Sequence, residues 1–143
     1  MGVLTDLVAV KESEIESVAE STSPAFDFGG IDAKGIDQVK LCKLKSILEQ
    51  QPYQRSCVGE FELLAGDEEE GPWVFRVPTD LVKLVASLHG VALSQVSGQW
   101  AAAEEFKLDG WSPQDVEATL VEIVNLCSSA VAEQKMLVMW MSV

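Results

Sequence analysis

Apolar positions change period along the chain, and each change marks an element. Residues 3–10 set Val3, Leu4, Leu7, Val8 and Val10 around Thr5 and Asp6, a β-rich run that predicts a strand. Residues 11–20 switch to helical spacing, with Ile15, Val18 and Ala19 on one face and glutamates on the other. Ser, Thr, Pro and the glycines Gly29, Gly30 and Gly35 make residues 21–35 a loop, with Phe26 and Phe28 expected to anchor it in the core. Leu41, Leu44 and Leu48, widened by Val39, Cys42 and Ile47, form the apolar stripe of a helix over 36–50. Gly35 and Asp37 suit its start, and Gln51-Pro52 stops it.

Over 57–64 the period falls to two: Val58, Phe61 and Leu63 interleave with Gly59, Glu60 and Glu62, which predicts a strand. An acidic turn, Gly66 to Gly71, and a second strand from Trp73 to Val77 complete a hairpin. Pro78 opens the next helix, with Leu81, Val82, Leu84, Val85 and Leu88 as its apolar face and Gly90 as its end. A further helix covers about 92–105, with Leu93, Val96, Trp100 and Ala103 inward, and 106–111 is a connection. Ser112-Pro113-Gln114-Asp115 is a helix entry: Ser caps, Pro takes the first position, and Asp reaches back to the cap. The helix it opens runs to about Glu133, with Val116, Leu120, Ile123, Val124, Cys127 and Val131 inward. The unbroken apolar tail, Met136–Val143, suits a strand buried on both faces and lying beside the first. The expected fold is one α+β domain over residues 1–143, a small mixed or antiparallel sheet of about four strands packed against about five helices.

Composition narrows the class. At 143 residues and 48% hydrophobic, the chain has apolar surface enough to offset chain entropy and build one core. Twenty-three acidic residues against ten basic ones give a net charge of −13. That field repels nucleic acid, which needs Lys and Arg to displace counterions, and repels anionic membrane surfaces. It favours cations, neutral ligands or a basic protein partner, and it serves solubility in any case. Cys42, Cys57 and Cys127 are odd in number and widely spaced, with no CxxC, so no disulfide framework is expected. Cys42 and Cys127 lie in apolar helical patterns as small hydrophobes, which points to the reducing cytoplasm. The N-terminus lacks the basic segment of a signal peptide, and no apolar run approaches the ~20 residues of a membrane span. The chain is expected as a monomer, or as a homodimer paired through Trp140 and the Met-rich tail.

The order of elements, with Gly2, Gly35-Ile36-Asp37, Pro78, Leu81, Trp100, the Ser112–Asp115 cap and the Val138–Ser142 tail, resembles the YfbM-like family of uncharacterised bacterial proteins. The resemblance is one of layout over most of the chain. It implies an α+β fold, and it carries no active-site residues across.

Candidate chemistry is sparse. His89 is the single histidine, so a two-histidine metal site is excluded, and no metal or other cofactor is expected. Beside Gly90 it suits a helix C-terminus, where a cation complements the dipole. Pairs of His89 with Cys42 or Cys57 stay open, because such partners meet in space rather than in sequence. No GxSxG, GxGxxG or P-loop is present. Asp67 to Glu70 lacks the spaced ligands of a calcium loop and reads as a solvated turn. Lys34, Lys40, Lys43 and Lys45 read as the wet face of their helix. The candidate binding residues are Trp100, Glu104, Glu105 and Trp111: a glutamate near indoles gains a raised pKa and becomes a general acid, or holds a partner's basic residue. The plainer reading, tryptophans in the core and glutamates at the surface, is preferred. Two functions lead, ahead of a third, a structural homo-oligomer or regulatory subunit. The first is a non-catalytic, immunity- or inhibitor-like protein binder. The alternative is a small-molecule enzyme or ligand-binding protein using a carboxylate near Trp100 and Trp111.

Overall fold

The computed structural model describes residues 3–67 and 69–143. Gly2, which takes part in the family resemblance, and Glu68 of the acidic turn lie outside the described residues. Five strands form one antiparallel sheet: β1 (Leu4–Val10), β2 (Ile31–Asp32), β3 (Glu62–Ala65), β4 (Trp73–Arg76) and β5 (Met136–Ser142), in the order β2-β1-β5-β4-β3. Seven α-helices accompany it among the described residues: α1 (Ile15–Glu20), α2 (Pro24–Asp27), α3 (Gln38–Glu49), α4 (Thr79–Ala86), α5 (Gly90–Ala101), α6 (Glu104–Leu108) and α7 (Pro113–Ala132). The architecture is the α+β class expected, with a fifth, two-residue strand added at one edge.

The apolar tail explains the topology. β5 lies at the centre, paired with β1 from Val10↔Met136 to Leu4↔Ser142 and with β4 from Arg76↔Val138 to Trp73↔Met141. Alternate residues of a strand point to opposite faces, so a strand covered on both sides needs apolar residues at every position. Leu137 and Met139 face a large core shared with Leu41, Leu44, Trp100, Leu120 and Ile123. Met136, Val138 and Trp140 face a smaller one, with Val8, Val10, Val18 and Val74. Burying Leu7, Val8, Val138 and Met139, all at 0% exposure, contributes on the order of 1.5–3 kcal/mol each. α3, α4, α5 and α7 cover the first face; α1 crosses β3 and β4 on the second, and α2 lies over β1 beside it.

Local chemistry sets the helix ends. The Asp37 carboxylate accepts the Lys40 N–H at 2.9 Å and starts α3, and Gln50 in the left-handed region ends it. The Ser112 hydroxyl accepts the Asp115 N–H at 3.1 Å while the Asp115 carboxylate accepts the Ser112 N–H at 3.3 Å, closing the expected capping box of α7.

Several local expectations are overturned by tertiary packing. Segment 21–35 is not all loop, since it carries α2 and β2. Phe26 is no anchor: α2 packs through Pro24 and leaves Phe26 87% exposed, while Phe28 does pack on the smaller core. Residues 57–60 form a 3-10 turn rather than strand, and in β3 Leu63 is exposed while Leu64 packs on the smaller core, with a register irregularity between Leu63 and Ala65. Gly90 begins α5 rather than ending α4, which stops at Ala86. The helix expected over 92–105 breaks at Ala102, and the extended Ala103 lets α6 carry Phe106 beneath Trp100. Val131 lies on the outer side of the last turn of α7, 44% exposed. The lysines of α3 are not a wet face: Lys40 and Lys45 are buried.

Candidate functional site

The sequence-predicted cluster assembles around Lys40. This buried side chain leaves α3, and its Nζ donates to the Gly35 carbonyl and to the Asp109 carboxylate. The ammonium lies 5.1 Å from the Phe106 ring centre and 5.8 Å from that of Trp111, so ring faces supply part of the electrostatic solvation lost on burial. Phe106 meets Trp100 edge-to-face at 4.9 Å and Trp111 at 5.1 Å. The indole N–H of Trp100 donates to the Lys40 carbonyl at 2.8 Å, so this fully buried ring has no unpartnered polar atom. Trp111 closes over Gly35: an added Cβ there would sit 3.0 Å from the indole, on a backbone with φ of +91°.

The four candidate residues therefore separate. Trp100 and Trp111 meet through Phe106, Glu104 is exposed, and Glu105 accepts no hydrogen bond from either indole. Its carboxylate accepts from Lys43 at 2.5 Å. That lysine holds the Glu105 carboxyl below its ordinary range, the opposite direction from the general-acid alternative, which the sequence reading does not prefer. Trp111 does line a shallow depression of about 430 Å³ with Asp109 and Asp115. Both carboxylates are engaged, Asp109 by Lys40 and Asp115 in the cap of α7.

The cysteine expectation is corrected. Cys42 and Cys57 form a disulfide, with Cα atoms 5.9 Å apart, tying α3 to the 3-10 turn before β3. The chain reversal at Gln50 and Pro52 folds the two together, and a spacing of 15 residues carried no sign of it. Both sulfurs are thus committed, and neither is a nucleophile for His89. Cys127 is buried, and desolvation pushes its thiol up to about 12, so it stays protonated near neutrality. His89 is exposed between α4 and α5, with Nδ1 3.0 Å from the carbonyl oxygen of Ser87, the C-cap of α4; it occupies the N-cap position of α5 rather than the helix C-terminus expected. Among the described residues, no three His, Cys, Asp or Glu side chains gather where a metal ion could be held.

One site was missed in the sequence. Where β1 and β4 end and β5 begins, they meet the start of α4 and the end of α7 around a cavity of about 460 Å³. Lys11, Arg76, Lys83 and Lys135 line it, four of the chain's ten basic residues, against the single lining carboxylate of Glu12. Its floor is apolar, with Val77, Val82 and Leu137 buried. These residues come from five segments more than 120 positions apart at the extremes, and no local pattern joins them.

No protein-family model matches the chain, and neither a curated protein nor a solved structure matches it. No helix among the described residues is long and apolar enough to cross a membrane.

Proposed function

We propose that this chain is a non-catalytic protein-binding domain of the immunity- or inhibitor-like kind, whose acidic face docks a basic protein surface. One observation carries the reading. Twelve of the 23 acidic residues fall in two stretches without a single Lys or Arg, six in 12–33 and six in 56–75. The packing of α1 on β3 and β4 brings part of each stretch to the same side of the sheet, while Glu60 turns to Lys45 of α3. Glu16 and Glu20 of α1, Glu62 of β3, and Asp67, Glu69 and Glu70 of the hairpin turn are all exposed there. Phe26, 87% exposed on α2 over β1, offers an aromatic anchor beside that face. Complementary charge speeds encounter and selects the partner, and the anchor slows release.

Kinship with the YfbM-like family, proposed from the order of elements alone, adds no site residues. The cytoplasmic setting expected from the sequence rested on unpaired cysteines, and the Cys42–Cys57 bond weighs against it: a reducing compartment would leave two thiols, an oxidising one would hold the bond closed. The intact mass of natively isolated, unreduced protein separates the two, being lighter by a pair of hydrogens if the bond is closed.

The binding test compares affinity purifications with the wild-type chain and with a Glu12→Lys, Glu16→Lys, Glu20→Lys variant. A basic protein retained by the wild type should be lost with the variant and in salt of about 1 M, where charges are screened beyond about 3 Å. An identical set of partners on both chains would dispose of the reading.

A further inference from the structure

The cavity at the strand ends calls for a different ligand from the acidic face. The chain carries −13, yet four cations and one carboxylate line this recess. The contrast with α3 is informative. There Lys40, Lys43 and Lys45 all have carboxylates within ion-pairing distance. In the recess Lys135 pairs with Glu133 at 2.9 Å, and Glu14 is close enough to help hold it charged. Lys11, Arg76 and Lys83 make no ion pair with any described residue. Glu62 stands opposite Arg76 in the β3–β4 register without pairing with it. With more than two acids for every base, three unpaired cations around one concavity leave a local excess of positive charge that the rest of the molecule lacks.

Shape and lining narrow the ligand. A volume of about 460 Å³ lies in the range of small-molecule sites, of the order of 300–1,000 Å³. The floor of Val77, Val82 and Leu137, extended by Met136, offers nothing to a bare inorganic ion but fits an apolar body. Arg76, half-buried at the end of β4, presents a planar fork suited to the paired oxygens of a carboxylate or phosphate. Lys83 on α4 and Lys11 after β1 approach from other walls. Concave, low-dielectric walls strengthen the attraction of such groups for an anion.

We propose that this recess binds a small organic anion, a carboxylate or phosphate ester on an apolar body, with Arg76, Lys83 and Lys11 holding the charged group and the Val77–Val82–Leu137 floor taking the rest. The proposal uses other residues than the acidic face, Glu12 aside, and stands or falls separately from it.

Amide-resolved NMR titration of the full-length chain tests it with phenyl phosphate, phenylacetate, inorganic phosphate and benzylamine. Phenyl phosphate or phenylacetate should give saturable shifts at Lys11, Val77, Lys83, Lys135 and Leu137. Inorganic phosphate should bind more weakly, lacking the apolar body. The tighter of the two aromatic anions identifies the charged group. Lys83→Gln and Arg76→Gln should each weaken binding about tenfold, the loss of one charge-assisted hydrogen bond. Lys107→Gln, outside the recess, should leave it unchanged. Lys83 is exposed, so its variant keeps the fold, and the spectrum itself reports this for both. Benzylamine shifting the same amides as strongly as the anions would overturn the proposal. So would anion shifts that never saturate, or unaltered binding by both variants.

Discussion

Two regions of this molecule hold lysine among apolar side chains, and they are opposites. Around Lys40 every charge is matched and every ring is packed: the ammonium has Gly35, Asp109 and two aromatic faces, and the Trp100 N–H has the Lys40 carbonyl. In the strand-end recess Lys11, Arg76 and Lys83 stand over an apolar floor with no paired carboxylate. The difference teaches that aromatic and charged residues close in sequence are readily consumed by one another as structure. Unspent charge is left where distant segments meet and no single element supplies the counter-charge.

The contrast is sharpest where the packed region is broken. Trp100→Ala removes a fully buried ring together with its hydrogen bond to the Lys40 carbonyl, and should cost about 3–5 kcal/mol, read as a lowered urea midpoint. A loss under about 1 kcal/mol would mean that the ring is not the keystone described here. Gly35→Ala forces a side chain onto a positive φ and against Trp111, and should cost about 1–3 kcal/mol. A neutral result would show that Trp111 swings away freely, which would leave it available to a ligand after all.

A smaller effect of opposite sign is expected at Asp6. Its carboxyl is raised by burial, opposed by the Ala25 N–H and raised further by Asp32 directly across the β1–β2 pair. With the folded value above the unfolded one, the folded state binds the extra proton, so stability falls as pH rises through that window. Asp6→Asn keeps an acceptor for Ala25 and should raise the melting temperature at neutral pH. The gain should vanish below the unfolded value of about 3.9, where the carboxyl is protonated in both states. A gain that persists in acid would assign the effect to something other than charge.

Glu105→Gln breaks a half-exposed pair with Lys43 and should cost less than about 1 kcal/mol. Smallest of all, Lys83→Gln should change stability by no more than about 0.5 kcal/mol, even as it weakens anion binding about tenfold. A large loss of stability there would mean that the recess is structural, like the cluster around Lys40, and the comparison would collapse.

Much of the scaffold was legible because single elements carry their own pattern. The capping box at Ser112 and Asp115, the stripe from Val116 to Cys127 and the two-faced apolar tail all follow from nearest neighbours along the chain. The errors have a common cause. Lys40 and Lys45 read as solvated because nothing near them in sequence shows that Asp109, Glu60 and Asp80 will come to meet them. Phe26 read as buried because hydrophobicity was visible and the direction of a one-turn helix was not. The partner of Glu105 was equally invisible, since Lys43 lies 62 positions away.

From the sequence alone came the α+β class, the net negative charge, the helix entries and the burial of the closing strand on both faces, because propensity, periodicity and formal charge act over a few residues. Tertiary structure decided which charges neutralise one another, that Cys42 meets Cys57, and that four scattered cations share one recess. Coulomb attraction, sulfur bonding and cavity shape depend on distance in space, and only the folded chain fixes those distances.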